Sequence, residues 1–249
     1  MNDQRGRVRV EPGQKRVRVY LRGELIADTR HPLLVWEVPY FPTYYIPVDD
    51  VLAKLRETEA TDRSPSRGTG RILDVVTAAE TVGGVAVRYP DSPIEALRDG
   101  VRFTFAAMDE WLEEDEPVYV HPRDPYRRVD ILASGRHVRV ELDGVCLAES
   151  RAPRLLFETG LPVRFYLPLS DVRRDLLRPS DTLTRCPYKG TAEYWSVEVN
   201  GTRHEDLVWI YRAPLPESQK IAGLACFYNE KVDLIVDGEP WVRPHTPFS

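Results

Sequence analysis

Residues 15–51 read KRVRVYLRGELIADTRHPLLVWEVPYFPTYYIPVDDV, and residues 136–172 read RHVRVELDGVCLAESRAPRLLFETGLPVRFYLPLSDV. The two stretches align without a gap at a constant offset of 121. Arg18/Arg139, Gly23/Gly144, Arg30/Arg151, Pro32/Pro153, Glu37/Glu158, Tyr45/Tyr166, Pro47/Pro168 and Asp50/Asp171 are identical pairs. Asp28/Glu149, Trp36/Phe157 and Tyr44/Phe165 are conservative ones. Further along, Ser64–Thr69 falls on Cys186–Thr191 and Tyr89 on Tyr211 at offset 122, and Glu116-Pro117 falls on Glu239-Pro240 at offset 123. Such one-residue slips are what insertions in surface loops produce. A period of about 120 residues is far longer than that of solenoid repeats, so each copy is expected to be a domain with its own core. The polar, Pro-rich joint His121–Tyr126 sets the expected domains at 1–125 and 126–249.

Within each copy the pattern is mainly β. Val138–Leu142 alternates apolar and polar residues, and Asp143-Gly144 turns the chain into Val145–Ala148, a strong hairpin signal. Arg22-Gly23 takes the same place in the first copy. Arg154–Glu158, Arg164–Leu167, Glu193–Val199, Asp206–Tyr211, Ala222–Tyr228 and Val232–Val236 read as further strands, with a second Asp-Gly turn at Asp237-Gly238. Ser170–Leu177 is expected to be a short helix capped by Ser170, and Pro216–Ile221 a helical turn. The fold class that follows is mainly β with short helices. It consists of two tandem, small antiparallel domains, each barrel-like or a folded sheet.

Composition narrows the function classes. Of 249 residues, 42% are hydrophobic and 29% charged, a balance that supports a sizeable core and not a disordered chain. The 15 Gly and 21 Pro are spread along the chain, which suits many short elements joined by turns. A net charge of −5 argues against a nucleic-acid partner, whose affinity rests on phosphate neutralisation by Lys and Arg. No apolar run reaches the roughly 20 residues that span a bilayer, and MNDQRGRVRVEPGQ lacks the apolar core of a signal peptide, so no membrane partner is expected. Three cysteines without a CxxC pair read as reduced thiols in a cytoplasmic protein, and the metal-ligand spacing of a zinc site is missing. Dinucleotide, Walker-type, zincin and nucleophile-elbow motifs are missing too, so the sequence specifies no cofactor and no metal.

The residues that suggest chemistry lie in Cys186-Pro-Tyr-Lys-Gly190 and the following Tyr194-Trp195. Lys189, three residues from Cys186, would favour the thiolate, giving a cysteine-dependent enzyme with Lys189 as activator. Alternatively Lys189 holds an anionic group while Tyr188 and Trp195 present flat faces to a ring. A tight turn with a packed cysteine is the plain structural reading. The first-copy counterpart keeps Pro65, Gly68, Thr69 and a cation at Arg67, but replaces Cys186, Tyr188, Tyr194 and Trp195 by Ser64, Ser66, Ile72 and Leu73. That asymmetry points to a functional second copy and a degenerate, structural first one.

Arg151, Glu158 and Tyr166 recur as Arg30, Glu37 and Tyr45, which reads as a buried Arg–Glu pair tied to a tyrosine hydroxyl, with ligand binding by Glu158 as the alternative. Phe157, Phe165, Trp209 and Tyr211 are expected to pack the core. Cys146 and Cys226 are expected to be inert core thiols, His204 an exposed turn residue, and Asp109–Glu116 a solvated acidic face.

Phe157–Pro162, Phe165–Pro168, Cys186–Gly190, Tyr194-Trp195, Trp209–Tyr211 and Ile221–Tyr228 together resemble the bacterial domain of unknown function 427 family, also given a nucleotidyltransferase-like label. The resemblance covers nearly all of the second copy and, more faintly, the first. It implies small, mainly β domains related to the β-tent group and maps the family motif onto Glu158, Tyr166, Cys186, Tyr188, Lys189 and Trp195. It brings no defined reaction. The acidic metal ligands that follow a Gly-Ser loop in nucleotidyltransferases have no equivalent here. The expected activity is therefore binding of a small anionic or ring-containing ligand by the second copy. The alternatives are a Cys186 enzyme or a protein-interaction scaffold.

Overall fold

Residues 8–246 are described by a computed structural model, and residues 1–7 of the N-terminal stretch read above lie outside it. The chain divides into two compact units, Met1–Asp124 and Pro125–Ser249. Unit 1 contains β1 (Arg9–Pro12), β2 (Val17–Leu21), β3 (Glu24–Thr29), β4 (Leu33–Val38), β5 (Phe41–Pro47), β6 (Lys54–Ser64), β7 (Gly68–Val76), β8 (Thr81–Arg88), β9 (Gly100–Phe103), β10 (Glu110–Glu113) and β11 (Glu116–Pro117). Unit 2 contains β12 (Val129–Ala133), β13 (Val138–Leu142), β14 (Val145–Ser150), β15 (Arg154–Glu158), β16 (Arg164–Leu167), β17 (Leu177–Cys186), β18 (Gly190–Val199), β19 (Thr202–Ile210), β20 (Ala225–Phe227), β21 (Asp233–Val236) and β22 (Glu239–Trp241).

The two units share one topology. Unit 1 has a seven-stranded sheet in the order β1-β4-β5-β9-β8-β7-β6 and a four-stranded sheet in the order β11-β10-β2-β3. Unit 2 repeats them as β12-β15-β16-β20-β19-β18-β17 and β14-β13-β21-β22. Every pairing is antiparallel and none of the four sheets closes into a barrel, an open arrangement consistent with β-tent-like domains. The turns explain why the register repeats. Asp143 and Gly144 both adopt positive φ (49° and 76°), as do Arg22 and Gly23 (55° and 72°), the geometry that a two-residue hairpin matching strand twist requires.

The main core of each unit fills the space between its two sheets. In unit 2, Val138, Val140 and Leu142 of the small sheet face Phe165, Leu167, Val197, Val208 and Phe227 of the large one. The alternation read in Val138–Leu142 is thus a half-buried strand, with Arg139 and Glu141 outward. The opposite face of the large sheet carries a second cluster: Ile131, Leu156, Tyr166, Ala192, Tyr194, Trp209, Tyr211, Ile221 and Cys226. This second face positions the candidate site.

Several expectations are corrected. Ser170–Leu177 is no helix: two 3-10 turns, Leu169–Asp171 and Arg174–Leu176, flank Val172, and neither has a side-chain cap. Val172 bridges Ala148 and packs into the core, which interrupts any helical run. Phe157 is exposed, unlike its buried counterpart Trp36 in unit 1. Within the acidic stretch, β10 buries Trp111 and Glu113. Cys146 is half-buried beside the turn that starts edge strand β14, and His204 is half-buried within β19, its Nε2 3.5 Å from Asp143 Oδ2.

Candidate functional site

Ladder register superposes the units residue by residue. Ile72 pairs with Val87 as Tyr194 pairs with Trp209, Asp62 with Gly70 as Thr184 with Ala192, and Val87 with Arg102 as Trp209 with Cys226. Tyr228 donates its backbone N–H to Leu207 as Thr104 does to Val85, which makes those two equivalent. The second face of the large sheet can therefore be compared one position at a time.

In unit 1 this face is a closed polar network. Glu37 pairs with Arg67 and, at 2.9 Å, with Arg102, and accepts the Tyr45 hydroxyl at 2.6 Å. Tyr89 donates to Asp62, which lies 3.5 Å from Arg102. Two arginines meet two carboxylates. Burial alone would lower the Arg67 guanidinium's pKa, but its bond to Glu37 holds it above its usual range. Burial, then Glu37, pushes the Tyr45 phenol upward.

In unit 2 the loop cation and strand glutamate again pair: Lys189 Nζ donates to Glu158, with side chains 12% and 6% exposed. The recurrent pair is therefore Glu37–Arg67 and Glu158–Lys189, and the expected Arg30 and Arg151 partners are exposed instead. Tyr166 is bound not to Glu158 but to Trp209, whose indole N–H donates to its hydroxyl at 3.0 Å. Its phenol is pushed far up by burial. Tyr89 persists as Tyr211, and the rest of the network has been exchanged. Cys226 stands for Arg102, Thr184 for Asp62, Tyr194 for Ile72, Trp209 for Val87 and Tyr228 for Thr104. Thr184 Oγ1 and the Tyr194 hydroxyl lie 3.0 Å apart, and the Tyr194 and Tyr228 hydroxyls 3.4 Å.

A second buried pair, missed in the sequence, braces this aromatic wall. Arg164 makes a two-pronged bond to Glu230 at 2.6 and 2.8 Å, with Asn229 Oδ1 at 3.1 Å. The Arg164 guanidinium lies 5.5 Å from the Trp209 ring and 5.9 Å from Tyr228. Thr246 Oγ1 also donates to Glu230. Burial alone would raise the Glu230 carboxyl, but bonds from Arg164 and Thr246 hold it below its usual range. Unit 1 has Thr43 for Arg164, and Phe105 and Ala106 follow Thr104 where Asn229 and Glu230 follow Tyr228. A charge gained at two positions of one copy was the available signal.

The remaining residues of the sequence motif spread over two faces. Tyr188 is buried and its carbonyl accepts the Ser218 hydroxyl at 3.1 Å, while Lys189 O accepts the Leu215 N–H at 3.1 Å. Gly190 at φ 97° closes the turn in a conformation that side-chain-bearing residues rarely adopt. Cys186, at the end of β17, is half-buried. Trp195 points the other way: it packs against the main core, with Arg212 5.6 Å from its ring. The structure thus brings Glu158 and Lys189 together but leaves Trp195 on the opposite face. Cys226, fully buried, has its thiol pushed up to about 12 by burial. Among the described residues no three His, Cys, Asp or Glu side chains converge as metal ligands would.

Duplicated open-sheet units with a shared glutamate–cation pair define a tandem β-domain protein. The model of the family called domain of unknown function DUF427, also labelled NTP_transf_9, matches residues 9–114 and again 130–238, so the chain belongs to this family as a tandem duplication. No curated protein is similar to the chain in a sequence comparison. No helix among the described residues is long and apolar enough to cross a membrane.

Proposed function

We propose that unit 2 is a small-molecule-binding domain and that unit 1 is degenerate at the matching face of its large sheet. The observation that carries this reading is the exchange at matched positions: Ile72, Val87 and Thr104 become Tyr194, Trp209 and Tyr228. In unit 1 these smaller residues suffice at the same positions. Aromatic rings with linked hydroxyls add flat surfaces and directional polar groups, the usual furnishing of a ligand site. Of the two ligand chemistries, the ring-bearing one is favoured, because Lys189 and Arg164 are already neutralised by Glu158 and Glu230. An anion would have to displace a buried carboxylate.

For a cysteine-dependent reaction, Cys186 would need a base, and among the described residues no side chain hydrogen-bonds its thiol. Binding is therefore the better-supported activity. Three free thiols suit a reducing compartment, which favours a cytoplasmic location. The test is a thermal-shift screen of heteroaromatic compounds on the full chain. Hits should stabilise wild type and lose their effect in a Tyr194→Ile, Trp209→Val variant, which copies unit 1. Equal stabilisation of both proteins would place the ligand elsewhere and refute the reading.

A further inference from the structure

Unit 1 holds an open hollow of about 260 Å³ lined by Lys15, Glu113, Glu114, Glu116, Val118 and Arg123. It is lined by none of the residues of the Glu37 network. The duplication supplies an internal control for what this corner of the fold needs. In unit 2, Trp241 replaces Val118, Val236 replaces Glu113 and Phe165 replaces Tyr44. There the Trp241 indole meets Phe165 edge-on at 5.3 Å, with the Arg136 guanidinium 5.5 Å above it. The corner is closed by hydrocarbon.

In unit 1 the same corner has a smaller side chain and buried charge. Glu113, with 8% of its side chain exposed, accepts bonds from the Tyr44 hydroxyl and from Lys15. A buried carboxylate is costly where valine serves the same backbone position in the sister unit, so stability does not account for it. Glu116 sits directly across the ladder from Glu113. Like charges facing each other across a strand pair are unfavourable unless a cation lies between them. Lys15 answers Glu113, whereas no hydrogen bond or ion pair within the described residues engages Glu116.

We infer that this hollow is a separate binding site in unit 1 and that it takes an amino-acid-sized zwitterion. The ligand ammonium lies between Glu116 and Glu113, where it takes the place of the Lys15 ammonium; Lys15 exchanges Glu113 for the ligand carboxylate, and Val118 forms the apolar floor. Both signs of charge line the hollow, which suits a zwitterion better than a simple anion or a simple cation. Its volume falls below the ~300 Å³ at which drug-sized sites begin, so the occupant is small.

The experiment is isothermal titration calorimetry on the full chain with glycine, serine and leucine as zwitterions, putrescine as a cation and succinate as an anion. At least one amino acid should give saturable heat, and Glu116→Gln should weaken it about tenfold or more. Val118→Trp, which copies the filled corner of unit 2, should abolish binding while the melting transition stays cooperative. No saturable heat from any amino acid at millimolar concentration overturns the proposal. Putrescine binding as tightly as the amino acids overturns the zwitterion assignment, and unchanged binding by Val118→Trp overturns the location. Because Tyr194→Ile, Trp209→Val leaves this corner untouched, it should bind the amino acid normally, which separates this site from the one in unit 2.

Discussion

Replacing Glu230 by Gln removes one charge from the pair that braces the aromatic wall and leaves Arg164 in place. The Glu230 side chain is 0% exposed and that of Arg164 only 11%, so this is a buried pair and not a surface bridge. Breaking such a pair by removing one partner costs about 3–5 kcal/mol, against ~0–1 kcal/mol for exposed pairs. Arg164 cannot escape by losing its proton, because a guanidinium stays charged at any pH at which proteins fold. Its contacts with Trp209 and Tyr228 soften the loss, which places the expected value near 3 kcal/mol. For a unit of this size that is a fall of roughly 10 °C in its melting temperature. Differential scanning calorimetry should show the unit 2 transition shifted and that of unit 1 in place. Adding Arg164→Met should restore much of the loss, since removing both buried charges is often neutral. A cost below about 1 kcal/mol for Glu230→Gln, in the range of a surface pair, would refute the reasoning.

Acid should act through the same carboxyl. Its folded pKa is lower than the unfolded one of about 4.3, so its stabilisation is complete above that value and is lost as pH falls through the folded pKa. Unfolding titrations between pH 5 and pH 2 should therefore show a steeper loss for wild type than for Glu230→Gln, in the spirit of that linkage; parallel curves would contradict it. Lys189→Arg should fold normally, because Arg67 fills that role in unit 1, whereas Lys189→Ala strands buried Glu158 and should cost about 3 kcal/mol in urea melts. Under native conditions near neutral pH, Cys226 should resist iodoacetamide while Cys146 and Cys186 react, since Cys226 is 0% exposed and its thiolate is disfavoured. Peptide mass spectrometry would show it, and prompt labelling of Cys226 would refute its placement.

The duplication and most strands of unit 2 were legible because hairpin turns and period-two alternation are local signals. Val138–Leu142, Arg154–Glu158 and Arg164–Leu167 are strands with the bounds read from the sequence. β17 was not legible: an edge strand solvated along most of its length, it has no alternation to read, and Pro179 breaks its pattern. Ser170–Leu177 has helical composition, but Val172 is claimed by the core, and tertiary packing overrides local propensity.

The site was half legible. Glu158 and Lys189 were each singled out, yet their pairing joins residues 31 apart, and Arg164 and Glu230 are 66 apart. Contacts across non-neighbouring elements leave no periodic trace. Trp195 was misplaced for a simpler reason. Adjacent strand residues face opposite sides, so Tyr194 and Trp195 never share a surface.

The most direct test of the account is an NMR titration that follows the indole N–H signals of the 5 tryptophans. Trp209 lies in the proposed wall and donates to Tyr166, while Trp36 and Trp111 belong to unit 1. Addition of a heteroaromatic hit should shift the Trp209 signal and leave those of Trp36 and Trp111 unmoved. Shifts confined to Trp36 or Trp111, or a Trp209 signal indifferent to every hit, would contradict the assignment of ligand binding to the aromatic face of unit 2.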